Sequence, residues 1–196
     1  MKKLIKAVRY SKHLFFSRFH HMGSMVSFER NIKVENSKLI HLGDKVNIDE
    51  DCSLAVFERY RNDSFSHDKP VIQIGDNVGL GKGTIVYAIK GVNIKKDVMI
   101  GPYCFIGDYD HQYLEVNKPI VNQPLTNADP IIIDEGSWVG AHVTISSGVR
   151  IGKNSVIGAN SVVTKDIPDY SVAVGVPARV IKKYDHRSRT WKRTRN

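Results

Sequence analysis

From Ile74 to Val163 an aliphatic residue returns at every sixth position. The series runs Ile74, Leu80, Val86, slips by two residues, and resumes as Ile94, Ile100, Ile106. After a longer break it continues through Ile133, Val139, Ile145, Ile151, Ile157 and Val163. Glycine commonly follows at the next position (Gly75, Gly81, Gly101, Gly107, Gly140, Gly152, Gly158). Four places after the aliphatic residue stands a small or β-branched one, such as Val78, Thr84, Cys104, Val143 or Ser161. A period of six suits neither an amphipathic helix nor a plainly alternating strand. It suits a unit of one short strand and one turn, three of which close a triangular coil of about eighteen residues. The aliphatic residue points into the prism, the small one fits beside the corner, and Gly or Asp in the turn supplies positive φ. Such a solenoid buries its apolar residues only by stacking coil on coil. The chain is therefore expected to be all-β, a parallel β-helix.

The rest of the chain is organised around that block. Residues 1–22 form a short arm in which Leu4, Ile5, Val8, Phe15, Phe16 and Phe19 mix with six Lys/Arg and no acid. Such an arm packs on the first coils or meets an anionic lipid surface at the periphery of a membrane. Residues 23–181 are assigned to the β-helix, with an imperfect start of the repeat through residue 54. A polar insert at 55–71 (AVFERYRNDSFSHDKPV) and a loop at 112–130 with three prolines interrupt it. A loop that long inside a compact fold is functional or mobile. The tail at 182–196 is basic and is expected to be helical or frayed, capping the last coil.

Charge excludes one class of function. The net charge of +9 comes from the two flanks, which carry +12, while the middle of the chain is −3. No basic face interleaved with aromatics exists on the repeats, so nucleic acid is not an expected partner. Cys52 and Cys104 fall at small interior positions and read as reduced, buried hydrophobes. They show no metal-ligand spacing. With no transmembrane run and no signal-peptide core, the expectation is a soluble, cytoplasmic protein.

Chemistry must lie where the repeat breaks, because a solenoid alone has no function. The break Gly107-Asp108-Tyr109-Asp110-His111 leads into the long loop. A histidine beside carboxylates that set its tautomer is a general base poised near neutrality. The same residues also suit a polar turn in which Asp108 caps the backbone and His111 is solvated.

Residues 72–182 resemble the hexapeptide-repeat O-acetyltransferases that use acetyl-CoA. The resemblance rests on Ile133-Asp-Glu-Gly-Ser-Trp-Val-Gly-Ala141, Val162-Val-Thr-Lys-Asp-Ile-Pro168 and Gly175-Val-Pro-Ala-Arg-Val-Ile-Lys182. The segment Gly107-Asp-Tyr-Asp-His-Gln-Tyr113 is most similar to the lipopolysaccharide and capsule O-acetyltransferase branch. The resemblance implies a left-handed β-helix, a homotrimer with sites between subunits, a carbohydrate acceptor and no metal. It makes His111 the base and Asp108 or Asp110 its orienting partner. Trp138 would lie beside the thioester end of the cofactor. Ala141 and Ala159 would meet the pantetheine arm, Thr164 and Lys165 would lie at the cofactor, and Arg179 and Lys182 near its phosphates. His142 is read as structural or surface. Gly83 and Ala88-Ile89 stand where related sugar enzymes hold their acceptor with Asn and Asp, so those contacts do not carry over. Loop 112–130 is the candidate for reading the acceptor instead.

Two other functions fit the fold. A metal hydratase on the same solenoid needs three histidine ligands at a subunit interface, and only His111 and His142 lie in the regular blocks. A non-catalytic scaffold, or transfer to an amine or a small xenobiotic, is the other alternative.

Overall fold

The computed structural model describes residues 18–126 and 129–194. The chain visits three sheets in turn, once per coil, as a parallel β-helix of triangular section. The first face holds His21–Met22, Ile40–Leu42, Ile72–Ile74, Val92–Ile94, Ile131–Ile133 and Arg150–Ile151. The second face begins with Ser27–Phe28, Asn47–Ile48, Gly79–Leu80, Met99–Ile100, Trp138–Val139 and Val156–Ile157. The third holds Lys33–Glu35, Ser53–Val56, Ile85–Ala88, Phe105–Gly107, Thr144–Ile145 and Val162–Val163. Every aliphatic residue of the six-residue series is buried, as are Val78, Thr84, Cys104, Val143 and Ser161 at the small positions.

Coil length explains the slip. Trp138 pairs with Val156, eighteen residues on, as a strict three-unit coil requires. Ile85 pairs with Phe105, twenty on, so the earlier coils carry two extra residues. The extra length sits at Ile89-Lys90-Gly91, between the third face and the first. The segment before Leu54 is regular as well: Ser27 pairs with Asn47 and Lys33 with Ser53, each twenty on.

The glycine of the repeat has a different cause from the one its sequence suggests. Positive φ falls three places after the aliphatic residue, at Asn77, Gly83, Asp97, Tyr103, His142, Asn154 and Asn160. The glycine one place after the aliphatic residue is required by close approach of the next coil. A Cβ on Gly101 would lie 2.7 Å from Ala141 N, and one on Gly140 would lie 2.7 Å from Ala159 N. His142 takes one of the left-handed positions and stacks on Tyr103 at 5.2 Å, consistent with a structural role.

The ends differ from expectation in two respects. Of the arm at 1–22, residues 1–17 lie outside the described residues; Phe19 already packs on Phe28 at 5.9 Å, and His21–Met22 is a strand of the first coil. The basic tail is not helical. Ser171–Val174 extends the second face, Arg179–Asp185 returns antiparallel to it, and Thr190–Arg193 pairs with that strand as a hairpin. A boundary at residue 182 would cut through a strand. The hairpin succeeds because Asp185 accepts from the N–H groups of Arg187 and Ser188 and pairs with Lys192, which closes the turn. Both cysteines are free and buried, and burial pushes the Cys52 thiol up to about 11.

The two roles of glycine can be separated by thermal melting. Gly140→Ala should destabilise by about 1–3 kcal/mol, because the new methyl meets backbone that cannot yield. Gly79→Ala meets nothing within 4 Å and should be stabilising by about 0.4–1 kcal/mol through the unfolded chain. Equal effects at the two positions would refute the close-approach explanation.

Candidate active site

All three departures from the repeat leave from one corner, where the third face turns to the first. The insert leaves after Ser53–Val56 and returns before Ile72–Ile74; the slip follows Ile85–Ala88; the long loop follows Phe105–Gly107 and returns before Ile131–Ile133. Stacked coils bring these departures into one column.

Asp108 holds that column together. It is buried, and its carboxylate accepts from the N–H groups of Ile89, Lys90 and Gly91 at 2.8, 2.7 and 2.6 Å. These are the donors that the slip takes out of the strand ladder. Burial pushes the Asp108 carboxyl up from its ordinary range, and the three N–H groups pull the other way. Its own carbonyl accepts from Ser147 Oγ at 2.9 Å, which ties the corner to the next coil. Tyr109 packs edge-on against Phe57 of the insert at 5.6 Å, and burial pushes its phenol up to about 12.

His111 stands at the mouth of the loop. Asp110–His111 pairs antiparallel with Leu125–Thr126, which fixes where the loop begins and ends. The loop interior is built on Gln123, a buried side chain that accepts from Glu115 N and donates to Glu115 O and Lys118 O. The His111 ring is exposed, with its Nδ1 3.2 Å from the Tyr60 hydroxyl. Tyr60 comes from a hairpin inside the insert, Arg59–Tyr60 paired with Asp63–Ser64. Beside this corner a cleft of about 450 Å³ is lined by Phe65, His67, Lys69, Pro70, Ile89 and Lys90.

The expected orienting carboxylates do not hold the imidazole. Asp108 is committed to the 89–91 turn, and Asp110 neighbours His111 along a strand, so the two side chains leave opposite faces. Among the described residues the hydrogen bond to the ring is that of Tyr60. Sequence reasoning missed this residue, because the pair is separated by 51 positions and nothing local marks it.

The other candidates fall into three groups. Trp138 lies on the outer side of the second face, in a register row with Met99, Val156, Val172 and Lys182. A β-bulge between Val172 and Ala173 brings Arg179 to the same side as Lys182. At about 4.8 Å per strand, Lys182 is three steps, or about 14 Å, from Trp138. Ala141 and Ala159 stack at the corner between the second and third faces, where Asn160 N donates to Ala141 O at 2.9 Å. Thr164 and Lys165 are exposed at the other corner, one coil beyond Ser146-Ser147 and in the column of His111. One chain thus gathers His111, Thr164 and Lys165 at one corner and carries Trp138, Arg179 and Lys182 on the face opposite it.

Comparison with known proteins fits this architecture. Residues 130–165 match the family model for the bacterial transferase hexapeptide (six repeats). A protein of Escherichia coli (strain K12), provisionally named as the lipopolysaccharide biosynthesis O-acetyl transferase WbbJ, is 33% identical over 68% of this chain and 70% of its own length. A provisionally named acetyltransferase of Mycobacterium tuberculosis is 30% identical over 81% of the chain, which spans 46% of that relative's length. Among solved structures, AntD, an N-acyltransferase from Bacillus cereus, superposes with a TM-score of 0.75 at 22% identity over 91% of both chains, a likeness of fold. A maltose O-acetyltransferase from Clostridium difficile 630 superposes with a TM-score of 0.56 at 30% identity, covering 86% of this chain and 71% of that one. The solenoid is accordingly a left-handed parallel β-helix, and the chain belongs to the hexapeptide-repeat transferase family.

Proposed function

We propose that this protein transfers the acetyl group of acetyl-CoA to a hydroxyl of a carbohydrate, with His111 as the general base. One observation carries the reading: His111 is the exposed histidine at the column where every departure from the repeat converges, and one of its nitrogens is already held. The hydroxyl proton passes to the free imidazole nitrogen as the oxygen attacks the thioester carbonyl. The tetrahedral oxyanion is met by backbone N–H groups, and the coenzyme A thiolate leaves as the carbonyl re-forms. The thioester is already activated, so no covalent enzyme intermediate is required.

The residues suit the donor. Ala141 and Ala159 present backbone with almost no side chain to an extended arm. Arg179 and Lys182 offer positive charge on a common side for phosphates. Because Arg179 and Lys182 lie on the face opposite the corner of His111, the site is proposed to form between subunits of a homotrimer. Met99, 57% exposed, and Trp138, 49% exposed, lie on the face a second chain would cover. Loop 112–130 and the cleft beside Lys90 are placed to read the acceptor, whose relation to surface polysaccharide is suggested by the name of the Escherichia coli relative. Among the described residues no helix is long and apolar enough to cross a membrane, and a cytoplasmic site of action agrees with the use of acetyl-CoA.

Three measurements test this reading. His111→Ala should cut turnover by roughly two to four orders of magnitude at nearly unchanged melting temperature and CoA affinity; turnover within threefold of wild type rejects the base. Arg179→Ala with Lys182→Ala should raise KM for acetyl-CoA and change kcat much less, the pattern of lost uniform binding. That effect should shrink with a dephospho-CoA thioester, and equal losses on both donors would place these residues away from the ribose phosphate. Finally, His111→Ala chains refolded with chains bearing Arg179→Glu and Lys182→Glu should regain activity at limiting acetyl-CoA. Random mixing restores about one site in four if each site draws on two subunits. No recovery would confine the site to one chain.

A further inference from the structure

We infer that Tyr60 is a positioning residue for His111: its hydroxyl oxygen accepts the Nδ1 proton and so leaves the Nε2 lone pair facing the acceptor. The inference rests on the reading of His111 as the base and adds what makes that base competent.

The contact is built, not incidental. The hydroxyl lies 3.2 Å from Nδ1, and the two rings meet edge-on with centroids 5.4 Å apart. Tyr60 is held independently of the histidine. Its hairpin turns in two residues, with Arg61 in the left-handed region, and Phe65 N donates to Glu58 O at 2.9 Å to close its base. The Arg61 guanidinium lies 5.8 Å over the Tyr60 ring, and its Nη1 donates to Asn122 Oδ1 of the long loop at 3.4 Å. At the root of the insert, Phe57 packs on Tyr87 and Tyr109. The insert is thus fastened to the long loop on both sides of His111, and the imidazole is fixed between two excursions rather than on one mobile strand.

The direction of the bond follows from proton counting. A neutral imidazole carries one N–H, and the nitrogen that holds it leaves the other as the lone pair. Were the phenol to donate to Nδ1, the proton would sit on Nε2, and the open side of the ring could not accept one. With the phenol accepting, Nε2 takes the acceptor's proton while Nδ1–H stays on Tyr60, and the imidazolium then passes the Nε2 proton to the departing thiolate or to solvent. A phenol does this without a charge. A carboxylate in the same place would bring a negative charge beside the ring.

The test is long-range ¹H–¹⁵N correlation on the His111 ring in the full-length protein at a pH where the ring is neutral, with steady-state kinetics on the same samples. The wild-type ring should carry its proton on Nδ1. Tyr60→Phe keeps the packed ring and removes the hydroxyl. It should shift the tautomer towards Nε2–H and lower kcat about tenfold, the scale of one lost hydrogen bond, with KM for acetyl-CoA within twofold. Tyr60→Leu, which also removes the ring, should match Tyr60→Phe in tautomer and differ only in melting temperature. A wild-type proton on Nε2, or an unchanged tautomer in Tyr60→Phe, overturns the assignment even if activity falls. If the tautomer moves as stated but His111→Ala remains active, the Tyr60 contact stands and the base must be sought elsewhere.

Discussion

The close approach of one turn to the turn beneath it governs this molecule. At Gly101 and Gly140 the next coil's backbone lies where a Cβ would be, at 2.7 Å. That spacing aligns the strands, completes the ladders of hydrogen bonds and stacks the aliphatic positions into one continuous interior. It also limits where extra chain can be accommodated. The corners between the first and second faces and between the second and third carry the short turn in every described coil, whereas the corner from the third face to the first carries the insert, the slip and the long loop. Residues that depart from the repeat are therefore neighbours in space whatever their separation in sequence. Tyr60 and His111 meet for this reason.

Much of this was legible in the chain. The six-residue period announced the solenoid, the buried set and the approximate coil length, because periodicity is a local signal repeated many times. The break after Ile106 pointed to His111 because a histidine and two carboxylates are conspicuous where the repeat fails. What stayed hidden depends on contacts between coils. The repeat glycine looked like a turn residue, yet its requirement comes from the coil stacked on it, while left-handed φ falls on Asn, Asp, Tyr and His two places later. Asp108 looked like a partner for His111, and it serves the 89–91 turn one coil away. The basic tail looked terminal and frayed. Its strand alternation is weak in sequence, and only the open edge of the second face gives it something to pair with.

Asp108 shows why a corner under load and the candidate catalytic corner coincide. Of the three backbone donors at Ile89, Lys90 and Gly91, that of Ile89 is buried, and leaving a buried donor unpaired costs on the order of 1–3 kcal/mol. One carboxylate satisfies all three and so permits the slip. The same residue ends the third-face strand and directs the chain outward, one residue before Tyr109 and three before His111. A structural demand thus sets the place at which the loop departs, and the exposed histidine is a consequence of that departure.

The division of candidate residues between a corner and the opposite face has a physical reading of its own. A triangular prism cannot bend a face round to its opposite corner, since the rigid stack of coils leaves no hinge. On the proposed reading, a donor bound along Trp138, Arg179 and Lys182 would meet the His111 of a neighbouring prism laid against that face. The fold that makes each coil dependent on the next would then make each site dependent on the next chain. The bulge opposite Val172 and Ala173 fits this arrangement. Without the bulge, Arg179 and Lys182, three places apart, would point to opposite sides of their strand. With it, both charges face the surface on which a partner and a shared phosphate would lie.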